Sequence, residues 1–174
     1  MKMLLTRAKN QGYRIVYIDE TMVTRKTVPQ TEWARKKENM SVDVTKLDEP
    51  TLALLSGISK EKGQEHYQIF ERSVNVDKFF EYLQTLRSLN PDDKICLFMD
   101  NLGVHISPRS KAEMRRLKFR FVYNLAYRPD LNPIEFVFSQ FKKNFRALRA
   151  RKLIGELNIS HEGLIVQAVE QLKK

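Results

Sequence analysis

Three carboxylates in this 174-residue chain stand at positions suited to metal chemistry. Asp19 closes the β-prone run YRIVYIDE, Asp100 follows the apolar run ICLFM directly, and Glu135 falls in the first turn of a helix opened by Asn132-Pro133. Sheets flanked by helices commonly carry their ligand sites at the ends of strands. Hard divalent cations such as Mg²⁺ take oxygen ligands, one or two carboxylates each, with water or phosphate completing the shell. Three acids from two strands and a helix suffice for two ions. One ion would activate an attacking oxygen and the other would stabilise the leaving oxygen of a phosphodiester. Gathered without a cation, the same acids would repel one another.

Each acid also has a purely structural explanation. Asp19 after a strand serves equally as a turn residue or a helix cap. Asp100 precedes Asn101 and Gly103, which is ordinary turn chemistry. Asn132-Pro-Ile-Glu135 matches a capping box with glutamate at the third helical position. Asp43, Asp48, Asp77, Asp92 and Asp93 show that carboxylates are plentiful, so spacing alone does not select the set.

The elements that must position these residues follow from periodicity. Alternation in Tyr13 to Glu20 puts Tyr13, Ile15, Tyr17 and Asp19 on one face of a strand. The stretch 24–45 reads as short strands and turns around Trp33, itself expected in the core. TLALLSGI (51–58) and His66 to Phe70 are further strands, joined by a turn at Gly63. Val76, Phe79, Phe80, Leu83 and Leu86 recur at three and four, the mark of an amphipathic helix ending at Asn90-Pro91. ICLFM (95–99) is apolar throughout, as a central strand covered on both faces should be. Ser107-Pro108 gives a helix cap and a first-position proline, starting a basic helix through about Lys118. A strand at Phe119 to Tyr123, a long helix from Asn132 to about Arg149 and a last helix from His161 to Leu172 complete an α/β order with helices on the faces of a sheet.

Bulk properties bound the partners. At 42% hydrophobic and 30% charged residues, residues 1–174 suit one globular domain. No apolar run approaches the roughly 20 residues of a membrane span, and the first residues are too weakly apolar for a signal peptide. The single cysteine, Cys96, excludes an intrachain disulfide and a CxxC metal site. The expectation is an intracellular protein without a membrane partner, in the nucleus of a eukaryote or otherwise in the cytoplasm or nucleoid. A formal charge of +10 favours a polyanion, of which nucleic acid is the commonest.

Three blocks carry a family resemblance. Arg128-Pro-Asp-Leu-Asn-Pro-Ile-Glu135, Phe98-Met-Asp100-Asn101-Leu-Gly-Val-His105 and Ile18-Asp19-Glu20-Thr21 resemble, in order, the third-, second- and first-acid motifs of the DDE domain of Tc1/mariner and bacterial IS630 transposases. The 34 residues between Asp100 and Glu135 (101–134) match the spacing of the Tc1 branch. The resemblance covers roughly residues 13 to 150. It implies an RNase H-like fold, a mixed central sheet flanked by helices. It also implies two Mg²⁺ or Mn²⁺ ions on Asp19, Asp100 and Glu135, and cut-and-paste transposition of double-stranded DNA. In that chemistry water cuts each strand at the element's end, and the freed 3′ hydroxyl attacks target DNA in a second in-line displacement. A homodimer on paired ends is implied as well. Asn101, His105 and Asn132 fall beside the acids as secondary site residues, His105 being equally suited to packing a loop. The sequence departs from the pattern at Arg128, where relatives carry serine, and in ARKKENM (34–40), which lacks an expected glycine. The helix-turn-helix modules that precede the catalytic domain in the family are not expected here, since 18 residues precede Asp19.

Basic residues suggest where DNA would lie. At 100° per residue, Ile134, Phe138, Phe141, Phe145 and Leu148 form an apolar stripe about 80° wide. Glu135, Lys142, Arg146 and Arg149 share an adjoining stripe about 60° wide, a row of cations leading from the acid, or a solvated helix face. Arg109, Lys111, Arg115, Arg116 and Lys118 form a second basic group just after the Asp100 block, which grips DNA or simply solubilises its helix, and Arg128 is a third contact. Two other functions remain open at this level: a metal-dependent nuclease that does not transpose, and an inactive or domesticated copy that only binds DNA.

Overall fold

The computed structural model describes residues 1–24, 27, 49–126 and 128–173. The expectations for Trp33 and its surrounding strands, for the run at 34–40, and for Asp43 and Asp48 lie outside these residues. The described chain builds around one five-stranded sheet in the order β3-β2-β1-β4-β5. The strands are β1 (Arg14–Val23), β2 (Leu52–Ser59), β3 (Gly63–Glu71), β4 (Ile95–Met99) and β5 (Arg120–Tyr123). β1, β2 and β3 pair antiparallel, while β1, β4 and β5 pair parallel. The helices are α1 (Lys2–Asn10), α2 (Val76–Ser88), α3 (Gly103–Ile106), α4 (Pro108–Arg116), α5 (Ile134–Leu153) and α6 (His161–Glu170). This is the mixed sheet flanked by helices that the sequence leads one to expect.

Alternation in β1 sorts the two layers. Val16 and Ile18 face a core with Phe79, Tyr82, Leu83 and Leu86 of α2 and Met114 of α4. On the opposite face, Val23 and Leu54 meet Ile134, Phe138, Phe141 and Phe145 of α5 and Leu164 and Ile165 of α6. All five residues of β4 are buried, which is why that run is apolar without alternation. Gly57 in β2 lets α2 settle closely, since a Cβ there would stand 2.5 Å from the Tyr82 hydroxyl. Neither the buried Tyr82 on this helix nor α1 is among the residues and elements expected from the sequence. α1 buries Ala8 beside Ile15, Cys96, Phe98 and Val122.

Helix ends follow local chemistry. Asn75 caps α2, accepting from Lys78 N at 2.9 Å, and Ser107 caps α4, accepting from Ser110 N at 3.1 Å. α4 stops two residues before the expected end. Lys118 takes the left-handed conformation at φ 57°, while Phe119 N donates to Met114 O and Lys118 N to Arg115 O. That pair of bonds is a Schellman turn, in which glycine is the favoured residue.

The strand register makes the site. Parallel pairing of β1 with β4 runs from Arg14↔Ile95 to Tyr17↔Phe98, and β4 ends at Met99. β1 continues to Val23 on β2 alone. Asp19 therefore lies inside its strand, not at its end as expected, and it sits just where its parallel neighbour gives out. Two residues past the last registered pair, Asp19 and Asp100 stand side by side on the face that carries Tyr17, Phe98 and α5.

Candidate active site

An open cleft of about 470 Å³ lies at this position, lined by Asp19, Asp100, Asn101, Asn124, Arg128, Asn132 and Glu135 among others. The three acids singled out from sequence thus meet in one place. Burial, assisted by the charges of Asp100 and Glu135, pushes the Asp19 carboxyl up to about 6, against the opposing backbone donor of Glu20. Asp19 Oδ1 accepts from Glu20 N at 2.8 Å, and its Oδ2 accepts from Asn132 Nδ2 at 3.3 Å.

Asp100 has a different environment. His105, 1% exposed, places Nδ1 2.7 Å from Asp100 Oδ1, and Leu102 N donates to the same oxygen at 3.0 Å. The bond to His105 is the chief reason that the Asp100 carboxyl lies below the usual range. His105 is itself fixed: Tyr123 Oη donates to its carbonyl at 3.0 Å, and its ring lies 4.9 Å from that of Phe79. It both packs its loop and touches an acid, so its two sequence explanations are compatible.

Glu135 does not act as a capping-box residue. Pro133 is the N-cap of α5, with no side-chain cap bond, and Glu135 is the second helical residue. The Asn132 amide turns instead to Asp19, across 113 positions of sequence. Asn132 is 3% exposed and its Oδ1 has no protein partner, an acceptor held beside the acids. Asn101 Nδ2 donates to Asn124 O at 2.8 Å, and Asn124 Nδ2 donates to Arg128 O at 2.6 Å, tying three walls of the cleft. Asn124 was not singled out from sequence. Its signal is the one Asp100 gives, a polar residue directly after a buried strand.

The oxygen-rich donor set fits a hard divalent cation. The three acids converge on one cleft rather than one point: among the described residues no three His, Cys, Asp or Glu side chains are already placed to hold an ion.

The cations divide. Arg149, expected on an exposed DNA-facing row, is fully buried. It donates to Thr24 O at 2.9 Å, Thr27 O at 3.2 Å and Glu49 Oε2 at 2.7 Å, so it is a structural ion-pair residue and cannot reach phosphate. Arg146 is exposed and Lys142 half-buried on α5. α4 lies on the sheet face opposite α5. There Arg109 pairs with Asp77 at 3.0 Å and Arg116 with Glu113 at 2.6 Å, while Lys111 and Arg115 have no acidic partner among the described residues. Arg128 lines the cleft and makes a two-pronged exposed pair with Asp130.

A family model described as DDE superfamily endonuclease matches residues 14–158. The chain belongs to the DDE superfamily endonucleases. That membership agrees with the three acid blocks read from the sequence. The fold is similar to that of the catalytic domain of Mos1 mariner transposase, at TM-score 0.63 and 17% identity over 99% of this chain and 76% of that one. A Mos1 paired-end complex with the left transposon end matches at TM-score 0.62 and 17% identity, over 99% of this chain and 58% of that one. The Mos1 catalytic domain with raltegravir and Mg matches at TM-score 0.58 and 17% identity, over 99% and 88% of the two chains. These likenesses establish the RNase H-like fold in this DDE endonuclease, which spans a little over half of the longer Mos1 chains. Comparison with curated proteins gives no match.

Proposed function

We propose that this DDE endonuclease is the catalytic core of a Tc1/mariner-type transposase, cutting DNA at transposon ends and joining the freed 3′ hydroxyl to target DNA. The observation that carries this reading is the meeting of Asp19, Asp100 and Glu135 in one cleft, where Asp19 feels the charge of the other two. Asp19 and Asp100, with Glu135 completing the set, would hold two Mg²⁺ or Mn²⁺ ions, which supply Lewis-acid polarisation of the phosphodiester and a more acidic attacking hydroxyl.

The remaining work falls to the chain's own groups. His105 and the Leu102 amide fix one Asp100 oxygen, and Asn132 and the Glu20 amide fix both oxygens of Asp19. Carboxylates held in this way need little rearrangement as charge develops, which is where most of the acceleration in phosphoryl transfer arises. Arg128 at the rim, paired with the exposed Asp130, would exchange that partner for a phosphate of the substrate. Cleavage and joining are the same in-line displacement with water or a 3′ hydroxyl as nucleophile, so one site serves both. The working unit would be a homodimer on two DNA ends, acting inside the cell.

The test is incubation with a pre-cleaved duplex and a plasmid, in Mn²⁺ or EDTA, beside Asp100→Asn. Nicking or joining that needs metal and disappears in the variant is the expected result. Equal activity in both proteins would show that the cleft is not the catalytic centre.

A further inference from the structure

We infer that the outer edge of the sheet at β5, together with the cations that α4 seats over its aromatic rings, is a track for a DNA duplex leading out of the acid cleft. The inference rests on the cleft being a DNA-processing site, and it assigns the surface that holds the substrate. β5 runs directly into the cleft wall, since Asn124, Leu125 and Ala126 follow Tyr123 and line it. Among the described residues β5 has no strand partner on its outer side. No described residue outside the sheet accepts from its backbone N–H groups, so those facing outward are free to donate among the described residues.

Cations straddle this edge in a regular way. Lys111 lies over the Tyr123 ring at 5.7 Å and Arg115 over the Phe121 ring at 5.8 Å. The two are one turn apart on α4, and the rings beneath them stand 5.7 Å apart on alternate residues of β5. On the other face Arg120 lies over Tyr13 at 5.5 Å. Seating the cations on aromatic faces orders them without neutralising them. None of the three, nor Lys118, has an acidic partner among the described residues, whereas Arg109 and Arg116 of the same helix do.

Lys118 adds an exposed cation at the left-handed turn, φ 57°, between α4 and β5. An ordered row of cations without acidic partners among the described residues, Arg120 resting on the Gln11 amide oxygen, leads to the three acids and fits the regular charge of a duplex backbone. The cation row of α5 fits less well, having lost Arg149 to the interior.

Fluorescence anisotropy of a labelled duplex against salt concentration, in EDTA, tests the track with the whole chain. The triple variant Lys111→Ala, Arg115→Ala, Lys118→Gly is compared with wild type and with Lys142→Ala, Arg146→Ala. Wild type should bind, and the triple variant should lose about 3 units from the slope of log K against log salt, at ~0.9 per phosphate contact. The α5 double variant should keep the wild-type slope. An unchanged slope in the triple variant, an equal loss per charge in both variants, or no duplex binding by wild type would overturn the track. Should the triple variant unfold, Arg115→Gln alone carries the test at about one unit of slope. Mn²⁺-dependent nicking against Asp100→Asn, run on the same preparations, judges the catalytic cleft separately: a wrong track leaves that nicking intact, and a wrong cleft leaves the slopes as expected.

Discussion

Asp19 is held in a state that costs the fold stability and suits it for a cation. Its carboxyl titrates near 6 because burial, and then the charges of Asp100 and Glu135, oppose its ionised form. Above that pH the folded chain carries the charge at a cost of about 1–3 kcal/mol, and the cost fades as pH falls toward the ordinary carboxylate value near 4. Asp19→Asn should therefore raise the unfolding temperature in EDTA at pH 7.5, by ~2–4 °C per kcal/mol, and change it little at pH 4. Thermal unfolding at the two pH values decides this, and a destabilised variant at pH 7.5 would mean that the carboxylate is a structural anchor. The acids themselves were legible in the sequence through motif order, although Asp19 lies inside its strand rather than at the strand's end. The partner of Asn132 was not. A capping box is a local pattern, and nothing local reveals that the amide is drawn to a residue 113 positions away.

Elements show where periodicity suffices and where it stops. The apolar stripe of α5 fell as expected, with Ile134, Phe138, Phe141, Phe145 and Leu148 all buried. The adjoining stripe belongs at the surface by helical geometry alone, yet Arg146 is exposed and Arg149 is buried. A helical wheel gives angles, and only the tertiary fold supplies the segments that cover them, here residues 24, 27 and 49 and the start of α6. Glu49 meets Arg149 at 2.7 Å and Lys152 at 3.0 Å, so one buried cluster ties the end of β1 and the approach to β2 onto α5. Arg149→Ala leaves that carboxylate short of its best partner and empties a buried site. It should destabilise the chain by about 3–5 kcal/mol in urea unfolding. Arg146→Ala on the exposed face should stay within ~0.5 kcal/mol. Near-equal effects of the two substitutions would return Arg149 to the surface row.

At the scale of the molecule, a net charge of +10 surrounds a cleft of three carboxylates, and the two fields act on a DNA duplex in opposite directions. The charge and the α/β order were plain in the sequence. The strand order was not, because parallel pairing of β1 with β4 joins segments some eighty residues apart and only the finished sheet reveals where β4 stops short of Asp19. That shortfall opens the cleft, so the one feature that makes the site is the one least visible in sequence. Three carboxylates there also repel phosphate unless a bound cation balances them. At constant ionic strength, Mg²⁺ should tighten duplex binding by wild type about tenfold, equivalent to ~1.4 kcal/mol. A variant with both Asp19→Asn and Asp100→Asn should bind in EDTA as tightly as wild type binds in Mg²⁺, and should gain nothing from the ion. Anisotropy titrations of the two proteins with and without Mg²⁺ give the comparison. If Mg²⁺ instead weakens both equally, as simple screening of a basic surface would, the duplex passes the chain without entering the cleft, and Asp19 and Asp100 have no part in holding it.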